Sequence, residues 1–194
     1  MDAAWQAPAA RVVTDLRAVF GTRLQTVVAY GLVPHGLRGW PLATMALVES
    51  LSAVDLDACA RLSAAWKREG LATPLILPRA DFDRSLDAFP LEYAEIVATH
   101  HLLWGAPLGS VPIAAADMRR ACEHQAKSHL VHLREGYIEA GGHPHAVAAL
   151  VTASARPFAA LLRQVAAVAG ASESDRRALA QEGARLAGLS RTVV

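Results

Sequence analysis

The sequence predicts an α+β fold: a mixed β-sheet with flanking helices, followed by an all-α helical bundle. Three observations predict it. Helix-spaced and strand-like apolar segments alternate through the N-terminal part; the run Leu24 to Tyr30 is β-branched and aromatic and enters a loop punctuated by Gly31, Pro34, Gly36, Gly39 and Pro41; and from Ala114 onward only helical periodicity remains. That change of character places a domain boundary, giving an α/β domain over 1–112 and a helical bundle over 113–194.

Each element has its own signal. Val12, Val13, Leu16, Val19 and Phe20 fall on one side of a helix over 9–20, and Gly21 stands at its stop. A strand over 24–30 follows, then a second apolar run over 44–51. Residues 55–70 form a helix with Leu56, Cys59, Leu62 and Trp66 at apolar positions and Gly70 as its cap. A third strand over 71–77 ends at Pro78, a short helix covers 81–88, and the run 95–104 predicts a fourth strand or a strand pair. In the bundle, Met118, Cys122, Ala126, Leu130, Leu133 and Tyr137 predict a core-facing stripe along a helix over 114–140, closed by Gly141 and Gly142. Helices over 145–169, interrupted by Pro157, and over 173–189, opened by Ser172 or Ser174, complete three antiparallel helices.

Composition excludes several classes. Of 194 residues 53% are hydrophobic and 19% charged, a balance that packs a core. Nineteen basic against 18 acidic residues leave a net charge of +1, so no global field gathers nucleic acid or anionic lipid. The N-terminus lacks the basic start and apolar run of a secretory signal, and the longest apolar stretch, 146–170, carries Arg156, Pro157 and Arg163 inside it. The expectation is a cytoplasmic protein without a membrane span, that stretch being a buried helix. Cys59 and Cys122 sit at apolar helical positions without a C-x-x-C partner and read as reduced core thiols.

The turn after the first strand reads Tyr30-Gly31-Leu32-Val33-Pro34-His35-Gly36. With its preceding helix and following strand it resembles the DNA polymerase beta superfamily of nucleotidyltransferases, particularly small bacterial proteins with a minimal nucleotidyltransferase domain and a helical C-terminal domain. The resemblance implies an aromatic-Gly-Ser turn whose backbone and hydroxyl hold triphosphate oxygens, and an Asp-x-Asp pair on the next strand that binds Mg²⁺. Here both glycines match, but Leu32 stands at the serine, and Thr44 and Ala46 stand at the two carboxylate positions. Residues 72–77, where a third carboxylate belongs, contain none. Leucine offers phosphate no hydrogen bond, and threonine and alanine cannot replace carboxylates on a hard divalent cation. Segments 77–92, 103–105 and 154–163 extend the resemblance to the connecting helix, the final strand and a bundle helix.

Other constellations are weaker. Val54-Asp55-Leu56-Asp57 spells Asp-x-Asp, but at a helix start, where acidic residues complement the dipole and alternate residues diverge. Glu49 is the nearby carboxylate with a strand-like setting. His124, His129 and His132 do not converge into a zinc site on one helix, and His100-His101 and His143-Pro144-His145 lie elsewhere. Arg119 with His124 is similar to the arginine–histidine motif of helical ribonucleases, in which arginine would steady phosphate and histidine would move a proton. Leu32, Val33, Leu37, Trp40 and Leu42 make the glycine-rich turn apolar, and Trp5 and Trp40 are candidate contact residues.

The reading that follows is a pseudoenzyme of nucleotidyltransferase-like fold acting as a binding or regulatory module, with a homodimer or other protein partner, no resident metal or cofactor, and nucleotide binding left open. Its rivals are a divergent enzyme using Mg²⁺ and a nucleoside triphosphate through Glu49, Asp55 or Asp57, and a metal-independent ribonuclease using Arg119 and His124.

Overall fold

The computed structural model describes residues 5–31, 41–171 and 176–189. The chain divides into two compact units, Met1–Pro112 and Ile113–Val194. In the first, the order is α1 (Gln6–Phe20), a 3₁₀ turn (Gly21–Arg23), β1 (Leu24–Tyr30), β2 (Ala43–Val48), α2 (Ala53–Arg68), β3 (Leu75–Pro78), α3 (Arg79–Arg84), α4 (Pro90–Thr99) and β4 (His101–Gly105). The second holds α5 (Ala115–Glu139), α6 (Pro144–Val168) and α7 (Arg176–Leu186). A mixed sheet with flanking helices followed by a helical unit is the α+β architecture the sequence predicts.

The four strands are ordered β3-β2-β1-β4. β1 is central and antiparallel to both neighbours, while β2 and β3 run parallel through the α2 crossover. Because side chains alternate across a strand, residues paired across strands share a face. Val27 pairs with Ala46 and Ala29 with Thr44. On that side Val12, Leu16 and Phe20 of α1 and Cys59 and Trp66 of α2 join Val27, Ala29, Ala46 and Val48 in one apolar cluster. Val28, paired with Met45, and Thr26, paired with Leu47, point the other way, and α3 and α4 pack on β2 and β1 there. Both faces of the sheet are therefore covered.

Polar bonds pin this packing. Trp66, 1% exposed, donates its indole N–H to Asp15 Oδ2 at 2.9 Å, joining α2 to α1. Gly105, at φ +83°, ends β4 where an added Cβ would lie 2.1 Å from the Gln25 carbonyl oxygen, so only glycine fits.

Besides the third strand, which is shorter than 71–77, and the helix after it, which runs over 79–84 rather than 81–88, three sequence expectations change. The run 95–104 is mostly helix: Pro90 opens α4 at a position that needs no N–H, and Tyr93 and Ile96, three residues apart, supply its buried face before β4 starts at His101. In α5, Met118 and Cys122 are buried, but Ala126, Leu130 and Tyr137 are exposed. Each four-residue step turns a side chain about 40° past a full turn, so three steps carry Leu130 about 120° away from Met118. The buried line passes instead through Gly136, which meets Leu150 of α6.

The third change concerns α6, whose burial concentrates in Leu161, Leu162 and Ala166 rather than running along its length. Among the described residues it is the one helix long and apolar enough to cross a membrane by length and composition. It packs against α5 and α7, and Gly183 of α7 brings the backbones together: a Cβ there would lie 1.9 Å from the Leu162 carbonyl oxygen. The candidate caps of α7, Ser172 and Ser174, lie outside the described residues.

Candidate functional site

The end of β1 is the place the sequence marks. Tyr30 is half-buried, and loss of solvent raises its phenol pKa above the ordinary value. Gly31 follows at φ +67°, with open space where a Cβ would stand. Its N–H donates to Thr99 Oγ1 at 3.1 Å, and that hydroxyl donates to the Glu95 carbonyl at 2.7 Å, so the last turn of α4 braces the glycine turn. Beside it, His101 of β4 pairs with Ala29, and its ring stands 6.0 Å from that of Trp5 at a 37° tilt. Trp5 also packs against the α1/α2 core cluster. Leu32, Val33, Gly36, Leu37 and Trp40 lie outside the described residues; Leu42, just after them, is fully buried.

Thr44 and Ala46 do not line a cleft. They are 1% and 0% exposed, on the sheet face that α1 and α2 cover. The Thr44 hydroxyl is buried without a hydrogen-bond partner among the described residues. A metal bound through this strand would need oxygens facing an open pocket. These two residues offer one hydroxyl and a methyl group inside a packed layer, and do not fit the Mg²⁺ that the resemblance implies.

The remaining carboxylates stand at the wrong end of the sheet. Glu49 follows β2 and its N–H donates to the Arg23 carbonyl at 2.8 Å, beside the start of β1. Asp55 is gripped there by Arg23, with Nη2 to Oδ1 at 2.7 Å and Nη1 to Oδ2 at 2.9 Å, and it closes a capping box with Ser52. The Arg23 hydrogen bonds, then those of Ser52, hold its carboxyl well below the usual carboxylate range. Asp57 is exposed on α2. β1 has seven residues, so at roughly 3.3 Å per residue these acids are about 20 Å from Gly31.

Two shallow hollows mark the first unit. One, of about 430 Å³, lies between α1 and α2 and is lined by Asp15, Val19, Asp55, Arg61 and Leu62 among others. The other, of about 450 Å³, includes Pro41, Ser63, Lys67, Leu71 and Thr73. Neither is lined by Tyr30, Gly31, Thr44 or Ala46.

Part of the chain is similar to solved toxin–antitoxin structures. A tri-AMPylated Shewanella oneidensis HEPN toxin in complex with MNT antitoxin is similar over 65% of this chain and 93% of that one, with 15% identity and a TM-score of 0.37. The MntA–HepT toxin–antitoxin is similar over 65% of this chain and 94% of that one, with 14% identity and a TM-score of 0.37. A mutant of that toxin–antitoxin gives 63%, 94%, 16% and 0.38 in the same order. No family model matches the chain, and no curated protein matches it.

In the helical unit Arg119 and His124 are both exposed on α5. Five residues turn them about 140° apart around the axis, so they do not address one phosphate from one face. His129 Nε2 lies 3.1 Å from Gln125 Nε2, and His132 Nδ1 lies 3.2 Å from Glu135 Oε2. Among the described residues no three His, Cys, Asp or Glu side chains are grouped to hold a metal ion. Cys59 and Cys122 are buried and free, and burial raises both thiol pKa values.

Thr99 and Arg23 escaped the sequence reading. The Gly31–Thr99 and Arg23–Asp55 pairs span 68 and 32 residues, and no local spacing announces them.

Proposed function

We propose that this chain is a nucleotidyltransferase-like protein that works by binding rather than by catalysis, as a regulatory module for a protein partner in the cytoplasm. One observation carries the reading. The strand positions at which the family keeps its metal carboxylates are buried under helices, while the acids the chain does possess stand at the far end of the sheet. Phosphoryl transfer needs metal and phosphate oxygens held together at one open place. The separation of Gly31 from Glu49, Asp55 and Asp57 weighs against the divergent enzyme, and the divergence of Arg119 from His124 weighs against the ribonuclease.

The exposed apolar side chains of the helical unit support the binding half of the proposal. Leu130, Tyr137 and Ile138 on α5 and Val151 on α6 are between 48% and 76% exposed, and surfaces of this kind mark interaction sites. Arg163 and Pro157 inside α6 favour a partner helix over lipid as its neighbour.

Titration calorimetry with ATP and Mg²⁺, paired with a labelled nucleotide-transfer assay, tests the reading. The expected result is no metal-dependent transfer. Transfer that disappears in Asp55→Asn or Asp57→Asn would overturn the proposal in favour of the divergent enzyme, and RNA cleavage lost in His124→Ala would favour the ribonuclease.

A further inference from the structure

Beside its buried line, α5 carries a second one. Arg119, Glu123, Ala126, Leu130, Leu133 and Tyr137 follow one another at spacings of four, three, four, three and four residues. This is the heptad rhythm of a seam between two helices, and it lies about 100° around the axis from Met118 and from Gly136, where α5 meets Leu150 of α6, and about 60° from buried Cys122. Leu130 at its middle is 48% exposed and Tyr137 near its end 60%. The helix has 25 residues, about 37 Å of length, so the seam is long enough to bury several turns against a second helix.

The charges along this seam select its occupant. Glu123 and Arg134 are eleven residues apart, three turns with an offset of about 20°, and so flank Leu130 on the same side. Glu123 is exposed and faces Lys127 on its own helix at 2.5 Å. A second copy laid parallel would set like charges against like. Laid antiparallel, with the twofold axis between residues 128 and 129, it sets Glu123 against Arg134 of the partner subunit at both ends, and brings Ala126 and Leu130 of both copies to the centre. A surface that complements itself in this way suits an isologous pair.

We propose that two copies of this chain associate antiparallel along the α5 seam from Glu123 to Tyr137. This names the partner in the protein-binding reading above and rests on that reading.

Sedimentation equilibrium of the full chain over roughly 1 to 100 µM tests it, since association follows mass action. The expected wild-type species is a dimer of 20.6 kDa chains. Leu130→Arg should weaken association roughly thirtyfold or more, as loss of a central contact does. Its helical circular dichroism and melting should match the wild type, which separates lost pairing from lost folding. Glu123→Arg and Arg134→Glu should each weaken the dimer roughly three- to tenfold, and the double charge swap should regain most of that loss, because opposite charges again meet. A wild type that stays monomeric, a dimer untouched by Leu130→Arg, or a double swap no better than the singles would overturn the proposal. A monomer that instead binds a different protein would overturn the self-pairing and leave the binding function standing; metal-dependent nucleotide transfer would overturn the function and leave the dimer standing.

Discussion

Arg23 holds Asp55 through two parallel hydrogen bonds, at 2.7 and 2.9 Å, and so ties the start of β1 to the first turn of α2. Ser52 completes the joint: its side chain accepts from the Asp55 backbone, while Asp55 Oδ2 accepts from the Ser52 backbone N–H at 2.9 Å and from its hydroxyl at 2.7 Å. An Asp-x-Asp sequence that spells a metal pair is thus a structural clasp.

The clasp should show in the pH dependence of stability. The carboxyl of Asp55 is held below its ordinary range in the folded chain. A depressed folded pKa contributes stability that is complete above the unfolded value, about 3.9, and is lost as pH falls toward the folded one. Melting temperatures recorded from pH 7 down to about pH 2 should fall along an acid limb in the wild type, and Asp55→Asn should lower the plateau and flatten that limb. An unchanged limb in Asp55→Asn would assign the acid loss elsewhere.

Thr44 offers a gain of stability. Its hydroxyl is buried beside Ala29 with no partner among the described residues, and a buried unpaired polar group costs about 1 to 3 kcal/mol. Thr44→Val keeps the branched shape and removes the stranded oxygen, so chemical denaturation should show about 1 kcal/mol of stabilisation. Destabilisation would mean that the hydroxyl has a partner in solution.

Placing a carboxylate on β2 should not create a metal site. Ala46→Asp puts a charge into the cluster of Val12, Leu16 and Trp66, and an unpaired buried charge of this kind costs about 3 kcal/mol or more. The variant should unfold at lower denaturant with and without Mg²⁺. Stabilisation by millimolar Mg²⁺ would show that this strand still faces a metal pocket.

Two glycines of the helical unit should respond differently to alanine. Gly183→Ala drives a Cβ to 1.9 Å from the Leu162 carbonyl oxygen, a backbone atom that cannot yield without moving α6 from α7, and should cost about 2 to 3 kcal/mol. Gly136→Ala meets the Leu150 Cδ1 at 2.7 Å, the far end of a side chain that can rotate, and alanine favours the helix by about 1 kcal/mol, so the net change should be small. Parallel denaturation curves of the two variants check the contrast.

How much of this was legible depended on where the determining contact lay. β1 was read to the residue because its β-branched run is bounded by Gly31; the face and the C-terminal end of α1 were read because Val12, Leu16 and Phe20 repeat at four-residue steps over only two turns, too short for drift to matter, while its start lies three residues before the expected one. The same reasoning stretched over the 25 residues of α5 mixed two faces, assigning exposed Leu130 and Tyr137 to the core. α4 was misread because Ile96 and Val97 favour strands locally, while Pro90 and the packing of Tyr93 and Ile96 decide for a helix. At the candidate site, Gly31 was legible from its setting after a strand, but Thr99, which braces it, arrives from a helix 68 residues later. That Thr44 and Ala46 are not carboxylates was plain in the sequence; their burial was not, since it requires knowing which face α1 and α2 cover.

The place of β1 at the middle of the sheet affects how the chain emerges from the ribosome. Its second neighbour, β4, is the last element of the first unit, with Thr26 facing Gly105 and its hydroxyl donating to the Ala106 carbonyl at 2.8 Å. Until translation passes that point, a nascent chain presents the β1 backbone from Thr26 to Ala29 as an open edge, which pairing with β4 then covers.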